Sequence, residues 1–183
     1  MRIITGTARG KRLTTLEGLD VRPTPERVKE ALFNILQFEI EGRTVLDLFA
    51  GSGQIGLEAL SRGAKAAYFV DASKNSIQVV EKNLNACGFQ DRARIFMMDF
   101  SSFFLREKTQ FDIAFLDPPY RTGLLEQALS KTAGAMNPGG TIVCEHPFDE
   151  ELPLAAGDFV KGKSYRYGKI LLTLYRHKDV VEQ

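Results

Sequence analysis

The sequence predicts an α/β fold, in which an open, mostly parallel sheet carries helices on both faces and has an antiparallel end. Apolar runs that are typical of buried strands alternate with helical patterns through the middle of the chain. The run over residues 45–49 passes through a Gly-Ser-Gly turn into a helical pattern, which is the first half of a βαβ unit. Two β-rich runs flank Gly168 and predict a C-terminal hairpin.

Composition restricts the class of protein. The 183 residues are 44% hydrophobic and 26% charged, as expected for one globular domain with a substantial core. The net charge of +1 means that any basic surface must be local. Cys87 and Cys144 are too few for a disulfide framework and are predicted to be reduced thiols in or near the core. No segment resembles a membrane span or a signal peptide, so we expect a cytoplasmic protein.

Residues 1–22 are predicted to form an N-terminal arm. A strand beginning at Ile3, turn glycines and a returning strand over 13–16 predict a β-hairpin. The arm is basic, and its first acidic residue is Glu17. Its cations are Arg2, Arg9, Lys11 and Arg12. Such an arm either covers a sheet edge with a solvated surface or binds nucleic-acid phosphates, and the arm by itself favours the first interpretation.

Residues 23–183 are predicted to form the main domain, which opens with a helix. Thr24 is a favourable N-cap, Pro25 suits the first helical position, and apolar residues follow at helical spacing to Leu36. Parallel strands are then predicted over 45–49, 66–70, 94–98, 111–116 and 141–144, and helices over 55–60, 73–87, 101–106 and 124–136, with a turn at 137–140. With the hairpin strands 159–166 and 170–175, the sheet has seven strands.

Four acidic residues lie at or beside the ends of the first four strands: Asp47, Asp71, Asp99 and Asp117. The carboxyl ends of parallel strands meet at one edge of the sheet, where ligands bind. Four carboxylates there would repel one another unless a ligand supplied hydrogen-bond donors or positive charge. The alternative for Asp71 and Asp99 is that they cap the helices that follow them.

The glycine loop indicates what this ligand is. Gly51, Gly53 and Gly56 match G-x-G-x-x-G, which permits close approach of a ligand to the backbone. Asp47 beside the loop disfavours a pyrophosphate and suits a cationic group, such as the aminoacyl-sulfonium end of S-adenosylmethionine (SAM). Asp71 follows at the spacing of a ribose-binding carboxylate.

Asp99 and Phe100 would complete an adenosine site, because the carboxylate can accept from the adenine amine and the ring can cover the base. The alternative to a ligand site is an ordinary strand–helix turn, with the glycines there for geometry alone.

The segment Asp117-Pro118-Pro119-Tyr120 predicts a second site beside the first. The two prolines fix the backbone and lack N–H donors, so the Asp117 carboxylate and the Pro118 carbonyl form a rigid pair of acceptors. Such a pair suits a planar amino group, and Tyr120 can stack on its ring. Held in this way, the amine is a nucleophile for a methyl group. The alternative is a plain proline turn with a surface tyrosine.

On four segments the chain resembles a known family. They are TGTARGKRL over 5–13, RPTPERVKEALFNIL over 22–36, LDLFAGSGQIGLEALSRGA over 46–64 and FLDPPY over 115–120. The chain is similar to class I SAM-dependent methyltransferases, which have a Rossmann-like fold. More closely, it resembles the RsmD family of bacterial small-subunit rRNA guanine-N2 methyltransferases.

The resemblance implies methyl transfer from SAM to the N2 amine of a guanine in 16S rRNA. The substrate would be a 30S subunit or an assembly intermediate, and the enzyme a monomer that needs no metal. The implied cofactor-binding residues are Thr24, Arg27, Asp47, Phe49, Gly51, Ser52, Gly53, Asp71, Ala72, Asp99 and Phe100. The implied catalytic residues are Asp117, Pro118, Pro119 and Tyr120, and the arm cations Arg2, Arg9, Lys11 and Arg12 would bind RNA.

Three alternatives remain open. An adenine-N6 DNA methyltransferase shares the Asp-Pro-Pro-Tyr segment but needs a target-recognition region, and no long insertion follows Tyr120. A nicotinamide-dependent oxidoreductase shares the glycine loop but is disfavoured by Asp47 and by the proline segment. A non-catalytic RNA-binding assembly factor is disfavoured because all four strand-end acids are present.

Overall fold

The computed structural model describes residues 1–18 and 22–181, so residues 19–21 of the predicted arm lie outside the described residues. The strands are β1 (Thr44–Leu48), β2 (Ala66–Asp71), β3 (Ala93–Met97), β4 (Phe111–Leu116), β5 (Met136–Pro147), β6 (Ala155–Ala156), β7 (Phe159–Tyr167) and β8 (Ile170–His177). The helices are α1 (Glu26–Ile35), α2 (Gln54–Ser61), α3 (Lys74–Cys87), α4 (Phe100–Arg106), α5 (Leu124–Ala133) and α6 (Lys178–Val181), with a 3-10 turn over Gln90–Arg92.

The strands form one sheet in the order β3-β2-β1-β4-β5-β8-β7-β6. Strands β1 to β5 are parallel, and β8 pairs antiparallel with both β5 and β7. The predicted mostly parallel sheet with an antiparallel end is therefore confirmed. The chain leaves β1 towards one edge and returns to add β4 on the other side, so the switch point lies between β1 and β4. Ligand sites in such sheets open at this point.

Two details of the sheet differ from the prediction. An eighth strand, β6, adds two residues at the edge beside β7, which is too short to leave a pattern in the sequence. Helix α5 ends at Ala133, and residues 137–140 lie within β5 rather than in a separate turn. They form a bulge, because the register jumps from the pair Phe111 and Met136 to the pair Ile113 and Thr141.

Some helix ends follow the local sequence, and one is decided by a tertiary contact instead. Ser73 caps α3 by accepting from the backbone N–H of Ser76, and Gly88 ends that helix with φ 71°, both as predicted. The prediction that Thr24 caps α1 is wrong. The cap position is Pro25, no side chain caps the helix, and the Thr24 hydroxyl donates to Glu145 instead. A tertiary hydrogen bond thus replaces the local one.

The core has two layers, one on each face of the sheet. Side chains alternate along β1, so that Val45 packs under α1, α2 and α3 and Leu46 packs under α4 and α5. Helix α2 lies very close to β2, because a Cβ at Gly56 would overlap the ring of Phe69. This close packing is what brings the start of α2 down to the end of β1.

The N-terminal arm turns back on itself and packs against α2. The N–H of Ile3 donates to the Lys11 carbonyl (2.9 Å), and the N–H of Leu13 donates to the Met1 carbonyl (3.0 Å). The antiparallel pairing is as predicted, but β-bridge geometry is confined to one pair, Arg2 and Arg12. The division of the chain at residue 22 stays a prediction.

Both cysteines are free thiols, as predicted, with Cys144 buried and Cys87 partly buried. Within residues 1–18 and 22–181, no helix has the length and apolar character needed to cross a membrane.

Candidate active site

A cavity of about 810 Å³ opens at the carboxyl ends of the parallel strands, at the switch point of the sheet. Its size is that of a site for a cofactor or another small molecule. Most of the predicted site residues line it: Thr24, Asp47, Phe49, Gly51, Ser52, Asp71, Ala72, Asp99, Phe100, Asp117, Pro118, Pro119 and Tyr120. Two others do not. The Cα of Gly53 faces Val80 and Phe69, and Arg27 lies on the surface with a guanidinium nitrogen beside Gly168.

The glycine loop is held by the acid that the sequence assigns to the ribose. The N–H of Gly51 donates to Oδ2 of Asp71 (2.9 Å), and the N–H of Ser73 donates to Oδ1 (2.9 Å). Asp71 thereby ties the loop to the start of α3. Since each carboxylate oxygen can accept a second hydrogen bond, Asp71 keeps acceptor capacity towards the cavity.

Phe49 adopts a conformation that is uncommon for a residue with a side chain. Its φ is 69°, in the left-handed region. This backbone places its ring 5.6 Å from the ring of Phe100, and both rings line the cavity. The two rings form an apolar wall beside Asp99.

Asp99 performs the capping role that the sequence left open as an alternative. It accepts from the N–H (2.9 Å) and the hydroxyl (2.8 Å) of Ser102 in the first turn of α4. These hydrogen bonds hold the pKa of Asp99 below its usual value. Asp99 also lines the cavity, so capping α4 does not prevent it from contacting a ligand. Its contact with adenine stays a prediction.

Asp47 is buried at the end of β1, where its Oδ2 accepts from the N–H of Gly56 (2.9 Å). Burial raises the pKa of Asp47 to about 7, and the hydrogen bond from Gly56 only partly offsets this. A positively charged ligand group nearby would favour the ionised form. The carboxyl group therefore fits the cationic end of SAM.

Gln54, which the sequence analysis missed, gives an independent test of that fit. Its Nε2 donates to the Thr24 carbonyl (3.3 Å), but its Oε1 is buried and has no hydrogen-bond partner in the part of the chain that the structure describes. An unsatisfied buried acceptor costs about 1–3 kcal/mol, and Gln54 lines the cavity just after the glycine loop. A ligand that brings an N–H donor, such as the ammonium group of SAM, would satisfy it.

The other end of the cavity contains two carboxyl groups close together. Asp117 follows β4, and burial together with Glu145 and Asp47 raises its pKa well above the ordinary value. Glu145 lies on the neighbouring strand β5, and burial also raises its pKa. Sequence reasoning missed Glu145, for which the one available signal was a charged residue continuing the apolar strand 141–144.

Hydrogen bonds fix the Glu145 carboxylate in place. The Tyr120 hydroxyl donates to its Oε1 (3.0 Å), and the Thr24 hydroxyl donates to its Oε2 (3.2 Å). Burial, Glu145 and Asp117 raise the pKa of Tyr120, so the phenol remains a donor. The Arg22 guanidinium lies 4.5 Å from the centre of the Tyr120 ring. We refer to Thr24, Asp117, Tyr120 and Glu145 as the target pocket.

The four arm cations are exposed, but the structure does not bring them to the cavity. Arg2 pairs with Glu26 (3.1 Å). The turn containing Arg9 lies against Ser61 at the C-terminal end of α2, to which the N–H of Thr7 donates (2.8 Å). The glycine loop lies at the opposite end of this eight-residue helix, about 12 Å away.

Comparison with known proteins agrees with this geometry. The family described as conserved hypothetical protein 95 matches residues 1–176. The Escherichia coli protein named ribosomal RNA small subunit methyltransferase D is 34% identical, with 97% of this chain and 90% of that protein covered. The Haemophilus influenzae protein of the same name is 42% identical, with 71% of this chain and 69% of that protein covered. The chain belongs to the RsmD family.

Solved structures agree with this assignment and share the Rossmann-like methyltransferase fold. An E. coli candidate methyltransferase, YhhF, superposes with a TM-score of 0.87 at 32% identity, with 97% of each chain covered. A Thermus thermophilus hypothetical protein superposes with a TM-score of 0.82 at 33% identity, with 96% and 99% covered. Among residues 1–18 and 22–181, no three His, Cys, Asp or Glu side chains gather as a metal site would require. That the reaction needs no metal stays a prediction.

Proposed function

We propose that this RsmD-family protein uses SAM to methylate rRNA and that its target is the N2 amine of a guanine in 16S rRNA. Its relatives in E. coli and H. influenzae are named as small-subunit rRNA methyltransferases. The observation that carries the choice of guanine is the presence of two carboxyl groups, Asp117 and Glu145, in one target pocket.

Two neighbouring acceptors suit guanine better than adenine. The Watson–Crick edge of guanine presents two adjacent donors, the N2 amine and N1–H, whereas N1 of adenine is an acceptor. Tyr120 and Thr24 donate to both oxygens of Glu145, which opposes the rise in its pKa caused by burial and leaves the carboxyl group presenting acceptors. Adenine N1 would face that carboxylate without a proton between them. This supports guanine-N2 methylation over the adenine-N6 alternative.

The residues of the target pocket would position the base and its amine. The guanine leaves its stack, as bases do in enzymes that modify them. Asp117 and the Pro118 carbonyl accept from the N2 amine, and Tyr120 stacks on the ring. SAM supplies an activated methyl group on a sulfonium ion. Because it accepts a hydrogen bond from the amine, Asp117 is the group placed to accept the proton that the amine releases as the methyl group is transferred.

We place this reaction in the cytoplasm, on a 30S subunit or an assembly intermediate, with the enzyme acting as a monomer. The folded RNA or the ribonucleoprotein would supply shape recognition. The chain itself has no long insertion after Tyr120 that could read a duplex.

The experiment is a comparison of substrates. The purified protein is incubated with methyl-labelled SAM and either undermethylated 30S subunits or plasmid DNA, and the digested nucleosides are identified by mass spectrometry. We expect N2-methylguanosine from 16S rRNA. N6-methyladenine from the plasmid would instead establish the adenine alternative. Failure to bind SAM in calorimetry would favour the non-catalytic RNA-binding factor.

A further inference from the structure

We propose that a surface beside the target pocket binds the single-stranded RNA that flanks the target guanine. We call it the flanking rim, and it consists of Arg22, Arg121, Phe148, Arg166 and Lys169. This inference rests on the proposed function, because it takes RNA as the substrate. It assigns the strand contact to a different part of the chain from the arm cations.

The flanking rim is continuous with the target pocket. A small cavity of about 90 Å³ lies beside the large one, and Arg22 and Tyr120 line both. Its other walls are Arg121, residues 147–149 and Lys169. A strand whose target base enters the pocket must pass its mouth, so the neighbouring nucleotides meet this surface first.

Charge distinguishes the flanking rim from the surface as a whole. All four of its cations are exposed, whereas the whole chain carries a net charge of only +1. The nearby acid Asp149 is paired with Arg121, whose Nη2 lies 2.8 Å from both carboxylate oxygens. The remaining positive charge is concentrated where phosphates would pass. Phosphate binding by such a patch releases counterions and depends strongly on salt.

An exposed aromatic ring accompanies these cations. Phe148 is 45% exposed, although large apolar side chains normally lie inside a domain. The Arg166 guanidinium lies 4.4 Å from the centre of its ring, and the N–H of Phe148 donates to the Lys169 carbonyl (3.0 Å). The ring is thus held in place before any ligand binds. Exposed rings and guanidinium planes are the groups on which single-stranded bases stack.

Cations and a ring together point to a single-stranded nucleic acid. Phosphates pair with the charges, and an unstacked base next to the target lies on the ring. An acidic peptide would use the charges alone. The test therefore separates the contribution of the ring from that of the charges.

The test compares three variants in binding to undermethylated 30S subunits over a range of salt concentrations. Two are rim variants, the double variant Arg166→Ala/Lys169→Ala and the single variant Phe148→Ala. Arg121 is left in place because it is already paired with Asp149. The matched control is Lys65→Ala/Lys131→Ala, which removes two exposed lysines, one just before β2 and one in the last turn of α5. Calorimetry with SAM checks that each variant is folded.

We expect the double rim variant to reduce the slope of log K against log salt by about 1.4, or about 0.7 for each phosphate that is no longer neutralised. Phe148→Ala should weaken binding about tenfold with the slope unchanged, because the ring carries no charge. The control should retain the affinity and slope of the parent protein.

Three results would overturn the proposal. One is parental affinity and slope in both rim variants, and another is a slope change in the control as large as in the rim variant. A loss confined to the charge variant would indicate an acidic partner rather than a stacked strand and would also overturn it. If the parent protein leaves 16S rRNA unmethylated, the proposed function itself fails, whatever the rim variants do.

Discussion

Carboxylates are buried in two regions of this protein, near opposite ends of α2. In one region the chain itself supplies the hydrogen-bond donors and cations that a buried carboxylate needs, and in the other it does not. Near the C-terminal end of α2, Glu58 is fully buried and its oxygens accept from the N–H groups of Ile4 (2.9 Å) and Thr5 (3.0 Å). Nε of Arg62 lies 3.0 Å away, and Nζ of the buried Lys29 lies 3.5 Å away. This carboxylate is surrounded by donors and cations supplied by the chain itself.

At the other end, Asp47, Asp117 and Glu145 have raised pKa values because burial outweighs the hydrogen bonds that they accept. Arg22, the cation that acts on Asp117 and Glu145, is exposed. The difference shows what each region does. The Glu58 cluster ties the arm to α1 and α2, whereas the site carboxylates leave acceptors for a ligand to satisfy.

The largest effect that we expect is on the satisfied carboxylate. Glu58→Ala should lower the free energy of unfolding by about 3–5 kcal/mol, because it leaves Lys29 buried without its partner. Urea denaturation measures this loss. Glu58→Gln, which keeps the acceptor without the charge, should cost less. If Glu58→Ala unfolded at the parental midpoint, the two regions would not differ in the way described.

Asp47, in contrast, should make the ligand-free protein less stable as the pH rises. Since its folded-state pKa is raised from 3.8 to about 7, its stabilising contribution is complete below about pH 4 and is lost as pH rises through 7. A shift of this size corresponds to at most about 4 kcal/mol. Asp47→Asn should remove this dependence, so the variant gains stability relative to the ligand-free parent between pH 5 and 8. Parallel pH profiles for parent and variant would contradict the assignment.

Activity should depend on Asp117 more than stability does. Asp117→Ala should reduce kcat on the order of 10²–10³-fold, because it removes an acceptor that holds the reacting amine. Its affinity for SAM in calorimetry should remain. Asp71→Ala should show the reverse pattern and weaken SAM binding first. Near-normal turnover by Asp117→Ala would mean that the target pocket is wrongly placed.

The smallest effect tests the reading of guanine N1–H by Glu145. Glu145→Gln should lower kcat/KM on the guanine substrate about tenfold, which corresponds to the loss of one charge-assisted hydrogen bond. On RNA with 2-aminopurine at the target position, which keeps the amine but lacks N1–H, the loss should be smaller. Equal losses on both substrates would mean that Glu145 only holds Tyr120 in position.

The parts of the site that could be predicted from sequence depend on local patterns. Asp47 lies near the end of an apolar run, Asp71, Asp99 and Asp117 directly follow one, and parallel strands bring such positions to one edge. Glu145 carries the same local signal, an acid directly after the apolar run 141–144, but its place beside Asp117 depends on the pairing of β5 with β4, which no local pattern shows. The same holds for Thr24, whose hydroxyl bonds to that distant carboxylate.

The fold follows the same division. Ser73 and Gly88 mark the ends of α3 through local backbone preferences that a sequence displays. The bulge at residues 137–140 exists because β4 pairs with both sides of it, and no local pattern records this. Gln54 was missed for a related reason, since an unsatisfied oxygen is visible only once its surroundings are known.

The left-handed backbone at Phe49 sets the thermal stability of the protein against the aromatic wall of its cavity. Holding a residue with a side chain in that conformation costs about 1–2 kcal/mol, a cost that glycine would not incur. Glycine at this position would make the protein more resistant to heat but would remove one of the two rings from the cavity wall. Heat resistance and the shape of the cavity therefore make opposite demands on this one position.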